Sequence, residues 1–186
     1  MTSTTSDARV APGTWREVGP LAWCLARAGG RRAGTEPIGV FLTIGRHRPL
    51  FRGWLHFASR LMPRGTLPRR DTELVILRVA HLAGSAYEFE HHRKLGRSAG
   101  LSDAEIERVT VGAGAEGWSA RQHDLLRATD DLLAHHDLDD EVWAALRSHL
   151  DERGCLELLF LVGHYRMLAD VLTTLRVRPE QARNPV

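Results

Sequence analysis

Between Leu67 and Leu175 apolar residues recur at helical spacing, and serine, aspartate and glycine stand where helices have to start and stop. Ser102-Asp103-Ala104-Glu105 and Ser119-Ala120-Arg121-Gln122 each fit the S-x-x-E/Q capping box, in which side chains satisfy the free N–H groups of a first helical turn. They predict helices over 103–109 and 120–135. Asp139 caps another over 140–150, and Gly154 precedes a long apolar helix over 155–175 that ends before Pro179. Upstream, Leu67, Leu74, Val75, Ile76, Leu77, Val79 and Leu82 are apolar almost all round, the pattern of a helix buried on most sides. Gly84 ends that helix, and a further one over 85–99 stops at Gly100. Nearer the start, an amphipathic segment over 15–28 stops at Gly29-Gly30, and a short helix over 38–44 ends at Gly45. Arg46-His47-Arg48-Pro49 opens a helix with Leu50, Phe51, Trp54, Leu55 and Phe57 on its apolar side. No stretch alternates with period two between turn residues, so strands are not expected. Connections of two to eight residues suit a helical bundle. The expected fold is all-α, a compact single-domain helical bundle.

Its expected organisation is a disordered N-terminal tail over 1–13, an N-terminal helical segment over 14–66 packing on the core, a helical core over 67–178, and a C-terminal tail over 179–186. A chain of 186 residues with 43% hydrophobic and 26% charged content reads as one soluble globular domain. No apolar run approaches the roughly 18 residues that a membrane span needs, and the first residues lack the basic-then-apolar pattern of a secretory signal. A cytoplasmic location and no membrane partner are expected. Residues 1–70 carry a net charge of +9 and the remainder −7. The arginines of the basic part are interleaved with Trp15, Trp23, Phe41 and Trp54 at helical spacing. That suits a segment folded over an acidic body, its own or a neighbouring subunit's, better than a nucleic-acid-binding arm. Cys24 and Cys155 lie far apart and form no CxxC, so both are expected as reduced thiols.

Chemistry concentrates in Tyr87-Glu88-Phe89-Glu90-His91-His92, where two carboxylates, a phenol and two imidazoles stand within six residues. Glu88 and His92 are spaced i, i+4, as are Tyr87 and His91, so each pair shares a helix face. A carboxylate beside an imidazole fixes its tautomer and raises its basicity, the arrangement used in general acid–base chemistry. Ser85 and Glu88 also fit a capping box, which gives Glu88 a purely structural alternative. Glu73 is the lone acid inside an apolar helix, a position that demands a partner, with His92 and Arg78 in reach. A second polar island, His164-Tyr165-Arg166, interrupts the last apolar helix. It is either a set of satisfied core groups, a subunit interface, or part of a pocket shared with the focal helix. Glu88-x-x-His91 has the spacing of a carboxylate-bridged metal site but no second copy exists, so no metal is expected. Gly112-Ala113-Gly114-Ala115-Glu116-Gly117 follows no strand and is a linker rather than a phosphate loop.

Leu67-Pro68-Arg69-Arg70-Asp71-Thr72-Glu73-Leu74-Val75-Ile76-Leu77-Arg78, then Gly84 to His92 and Ala99-Gly100-Leu101-Ser102-Asp103-Ala104-Glu105-Ile106, resemble the carboxymuconolactone decarboxylase and alkylhydroperoxidase D-like superfamily. Leu161 to Ala169 resembles its long members, and the likeness covers about residues 40–178. The resemblance implies an all-α fold assembling into dimers, trimers or hexamers, with active sites near subunit contacts. It also implies that the two cysteines of thiol-peroxidase members fall on Ser85 and Glu88, their histidine on His92 and their glutamate on Glu73. Both thiols are absent, so a disulfide-cycling antioxidant activity is disfavoured. What stays is a proton-transfer set. The implied activity is cofactor-independent acid–base catalysis on a small carboxylated or enolisable substrate, by decarboxylation, isomerisation or a related lyase or cyclase step. In this reading His92 is the acid/base and Glu88 or Glu73 orients it. Tyr87, His164 or Tyr165 donates to a developing oxyanion, Arg78 or Arg166 holds a carboxylate, and His91 lines the substrate site. The remaining alternative is a non-catalytic ligand-binding or assembly protein on the same scaffold.

Overall fold

The computed structural model describes residues 8–182, and among these nine α-helices occur with no β-strand. They are α1 Trp15–Ala33, α2 Gly39–Ile44, α3 Arg48–Leu61, α4 Arg69–Leu82, α5 Ala86–Ser98, α6 Asp103–Arg108, α7 Ala120–His135, α8 Asp140–His149 and α9 Glu152–Leu175. None of them is long and apolar enough to cross a membrane. The described residues group into two compact units, 8–57 with 171–182, and 58–170.

In the first unit, α1 packs on α2. The stop expected at Gly29-Gly30 does not occur, and α1 continues to a left-handed C-cap at Gly34. Gly30 serves another purpose: a Cβ there would stand 2.2 Å from the Glu36 carbonyl oxygen, so the glycine lets the returning chain pass against the helix. The helix is instead interrupted near its start, where Gly19 takes φ 77° and Pro20 follows. Phe41, Phe51 and Trp54 form an aromatic cluster with ring centroids about 6 Å apart. The composition of the polar ends predicts loose tails. In their described parts they are tied down. Arg9 N–H donates to the Leu175 carbonyl and Gly13 N–H to the Leu42 carbonyl. Glu36 N–H donates to the Gln181 carbonyl, and the Glu180 carboxylate accepts from Gly39 N–H at 2.7 Å. Residues 1–7 and 183–186 of the two expected tails lie outside the described residues.

The second unit is organised on α4. Every residue from Asp71 to Ala80 is buried, as the all-round apolar pattern predicts. It packs against α5 and α7; α7 in turn meets α8, and α5 meets α6. Leu74 and Leu77 join Leu101, Ile106, Val109 and Leu126 in a core cluster. Gly96 lets α5 come close to α4, since a Cβ there would press on Leu77 and Leu101 at 3.3 and 3.2 Å. Both expected capping boxes form at Ser102 and Ser119, and Asp139 accepts from Val142 N–H at 2.7 Å. The last helix starts two residues before Gly154, because Asp151 accepts from the Gly154 N–H at 2.8 Å. A short polar side chain is the start signal there.

Candidate active site

All the groups of the site lie in the second unit. Glu73 is fully buried on α4, and His92 on α5 is 4% exposed. They meet through His92 Nδ1 and Glu73 Oε2 at 2.8 Å. The other carboxylate oxygen of Glu73 lies 2.6 Å from Arg69 Nη2, one helical turn earlier on α4. Glu73 therefore stands between an arginine that reaches the surface and an imidazole that does not. A carboxylate held at Nδ1 directs the remaining lone pair of a neutral imidazole to Nε2. Burial lowers the His92 pKa from its ordinary 6.5, and the attraction of Glu73 opposes this without cancelling it. The Tyr165 ring stands edge-on to His92 at 5.0 Å, and its hydroxyl donates to Met62 Sδ at 3.8 Å. Burial, reinforced by the charges of Glu73 and Glu88, raises the Tyr165 pKa, so this phenol keeps its proton.

Glu88 does not cap the helix. Ser85 is the N-cap residue of α5, but its side chain makes no capping hydrogen bond. Glu88 is 2% exposed, and neither its carboxylate oxygens nor the Ser85 hydroxyl has a hydrogen bond of ordinary geometry among the described residues. Burial pushes the Glu88 carboxyl up from 4.5 to about 7; the nearby Ser85 hydroxyl eases the rise and the Asp170 charge adds to it. Ser85, Glu88 and His92, at i, i+3 and i+7, lie along one face of α5. Between α4 and α5 a cavity of about 310 Å3 opens over the first turn of α5, and Ser85 and Phe89 are part of its wall.

The shifted carboxyl makes stability depend on pH. A folded-state pKa above the unfolded one means the folded chain binds the extra proton. The contribution is fully present below about 4.5 and is lost as pH rises to about 7. Glu88→Gln, which cannot ionise, is expected to match the wild type in acid and to gain on it by about 3 kcal/mol at pH 8. Urea unfolding of both proteins at the two ends of this range checks it; equal differences at both pH values would refute the buried-acid assignment.

Three expected site residues fall elsewhere. Arg78 is engaged within the protein. Its Nε and Nη2 donate to Asp130 at 2.5 and 3.2 Å, and Nη1 donates to the Val109 and Thr110 carbonyls at 2.8 and 3.0 Å. Nor is it the partner of Glu73. Arg166 is exposed and pairs with Asp170 at 3.2 Å. Tyr87 is buried and its ring lies parallel to that of His91, planes 4° apart and centroids 6.2 Å apart, on the neighbouring side of α5 from Ser85 and Glu88. His91 meets His92 through a ring contact at 5.5 Å. His164 is buried and edge-on to Tyr165, and burial lowers its pKa to about 4, which makes it a neutral imidazole. Arg69 and Asp170 also act on the site, beyond the residues that the sequence singles out. The i, i+4 spacing of Arg69 and Glu73 is a signal that points to the first; nothing local points to the second, which acts across helices. Among the described residues no three His, Cys, Asp or Glu side chains are grouped to hold a metal ion.

Residues 48–131 match the model of the carboxymuconolactone decarboxylase family. The whole fold is shared with the alkylhydroperoxidase AhpD core of an uncharacterised peroxidase-related protein from Ralstonia eutropha JMP134, at a TM-score of 0.83 and 18% identity over 95% of this chain and 94% of that one. A peroxidase-related protein from Silicibacter sp. TM1040 gives 0.82 at 14% identity, over 98% and 96% of the two chains. The debrominase Bmp8 without ligand gives 0.75 at 15% identity, over 97% and 94%. No curated protein matches the chain. Residues 48–131 thus carry the likeness to the carboxymuconolactone decarboxylase family, and the chain has the fold of these AhpD-like structures.

Proposed function

We propose that this protein is a cofactor-independent general acid–base enzyme acting on a small carboxylated or enolisable compound. The observation that carries the reading is the buried Glu73–His92 pair at 2.8 Å, one helical turn from a buried Glu88 that titrates near neutrality. Two proton-transfer groups whose surroundings push their pKa values in opposite directions supply a base and an acid at one pH. His92 Nε2 takes a proton from carbon α to a carbonyl, and Glu73 stabilises the imidazolium that results. Protonated Glu88 donates toward the carbonyl oxygen, where negative charge develops. In a decarboxylation the pair of the breaking C–C bond enters the same enolate as CO2 leaves, and His92 relays a proton from solvent to the carbon. Tyr165 packs the imidazole in place. By the resemblance, Ser85 and Glu88 stand where the cysteines of a thiol route would fall, so that route has no counterpart among these groups.

The test is exchange of α-protons in deuterated buffer, followed by proton NMR, with a panel of uncharged and carboxylated cyclic ketones between about pH 5 and 9. The expected profile is bell-shaped, its basic limb set by Glu88 at about 7. Glu88→Gln is expected to lower the rate by roughly 10- to 100-fold and to remove that limb. Exchange no faster than in buffer for every member of the panel would sink the reading.

A further inference from the structure

The charges around the buried Glu73–His92 pair fix which ring nitrogen carries hydrogen, an inference that deepens the acid–base reading above and rests on it. Glu73 has no exposed surface. A carboxylate in such a place keeps its charge only beside a cation or a set of donors. Among the described residues, two polar side chains reach its oxygens. His92 Nδ1 stands 2.8 Å from one, and Arg69 Nη2 stands 2.6 Å from the other. The Arg69 contact lies outside ordinary hydrogen-bond geometry, so what it brings is charge. The Arg69 side chain is 37% exposed, so the cation stays partly in water while it faces a buried acid.

Three arrangements are open to the pair. In the first, Glu73 is a carboxylate and His92 is neutral, with hydrogen on Nδ1 and a bare Nε2. The other two hold one more proton, either as an imidazolium beside the carboxylate or as a protonated Glu73 beside the opposite tautomer. In both of these Nε2 carries hydrogen and cannot act as a base. Burial disfavours net charge. With Arg69 counted, the first arrangement is neutral and the other two are cationic. Without it, the first is anionic and the other two are neutral. None of the other groups facing the pair replaces this cation. His91 on α5, 5.5 Å from His92 ring to ring, acts in the same direction only while it is protonated. On α9, Tyr165 and His164 beyond it are neutral, and Glu88 adds negative charge as it ionises. On α7, Arg121 and Asp130 are engaged by Asp71 and Arg78.

We propose that Arg69 is a positioning residue of the site: its guanidinium balances the Glu73 carboxylate, so that His92 holds hydrogen on Nδ1 and keeps Nε2 bare. Arg69 acts through Glu73 and touches no substrate. Its i, i+4 spacing mounts cation and acid on the same helix. A single contact of charge does not need the fork of a guanidinium, so a lysine can serve in its place.

Full-length protein carrying nitrogen-15 histidine is read by long-range proton–nitrogen correlation from about pH 5.5 to 9, His92 being assigned by the signals that His92→Ala removes. In the wild type at about pH 7.5 the expected pattern is hydrogen on Nδ1 and a bare Nε2. In Arg69→Met, Nε2 is expected to carry hydrogen at that pH. Its titration should move up by at least about one unit, tenfold in proton affinity. Arg69→Gln gives a second neutral variant should the first fail to fold. Arg69→Lys is expected to return the wild-type pattern, which a packing role would not require. The remaining histidine signals show that the fold is kept. Hydrogen on Nε2 in the wild type, a neutral variant with the wild-type titration, or a lysine variant that behaves as the neutral ones would each overturn the proposal. Proton exchange of the ketone panel is measured on the same samples. The expected nitrogen pattern without exchange in the wild type would leave the charge balance by Arg69 standing and remove the acid–base reading. Exchange in the wild type with an unmoved titration in the neutral variants would do the opposite.

Discussion

His92→Ala is expected to slow α-proton exchange by about 10^2- to 10^4-fold, the range that one positioned acid–base group contributes. The imidazole is the only group of the site that combines a directed lone pair with a buried carboxylate partner, at 2.8 Å from Glu73. A loss of activity alone does not separate chemistry from packing, since the ring also touches Tyr165. Added imidazole provides the separation: it fits the space left behind and should restore part of the rate, with a pH dependence that follows its own titration. Glu73→Gln keeps the shape but removes the charge that stabilises the imidazolium, so it should lower the rate without restoring on addition of imidazole. A His92→Ala variant within about threefold of the wild-type rate would end the assignment of the base.

The largest effect on stability is expected at Arg78→Leu, about 3–5 kcal/mol, the cost of breaking a buried ion pair from one side. The guanidinium is 7% exposed and ties α4 to Asp130 on α7 and to the carbonyls of Val109 and Thr110. Its removal leaves the Asp130 charge and two carbonyls to find water in a crowded place. The neighbouring Gly112 shows how close the fit is: with φ 98°, a Cβ there would stand 2.3 Å from Arg78 Nη2. Urea unfolding measures the effect. A loss under about 1 kcal/mol, with a selective loss of carboxylate ligands, would return Arg78 to the role of an anion clamp.

Much of the fold is legible in the sequence because helix ends are local chemistry. Ser102, Ser119 and Asp139 cap as their spacing says, and the all-apolar run after Asp71 gives the buried central helix. The misreadings arise where one residue type serves two physical purposes. Gly30 reads as a stop, yet it allows a close approach that only the returning chain reveals. Gly154 reads as a boundary, and Asp151 sets it instead. The pairing of Glu73 with His92 is legible because a lone buried acid requires a partner. The choice between two candidates, His92 and Arg78, is not, because both lie within reach and only packing shows that Arg78 is drawn to Asp130. Ser85 and Glu88 match a capping box, and the pattern misleads: the carboxyl turns inward, where burial changes its acidity.

The burial of α4 on every side has a mechanical consequence. Glu73 is mounted on a helix that cannot shift without disturbing the whole unit, so the carboxylate is a fixed reference point. The other wall is different in kind: α5 is joined to α4 through Gly84, which adopts φ 65° and has open space around it. Gly84 sets the direction in which α5 leaves α4, so Ser85 and Glu88, at the joint and on the first turn beyond it, are positioned from the same helix that holds Glu73.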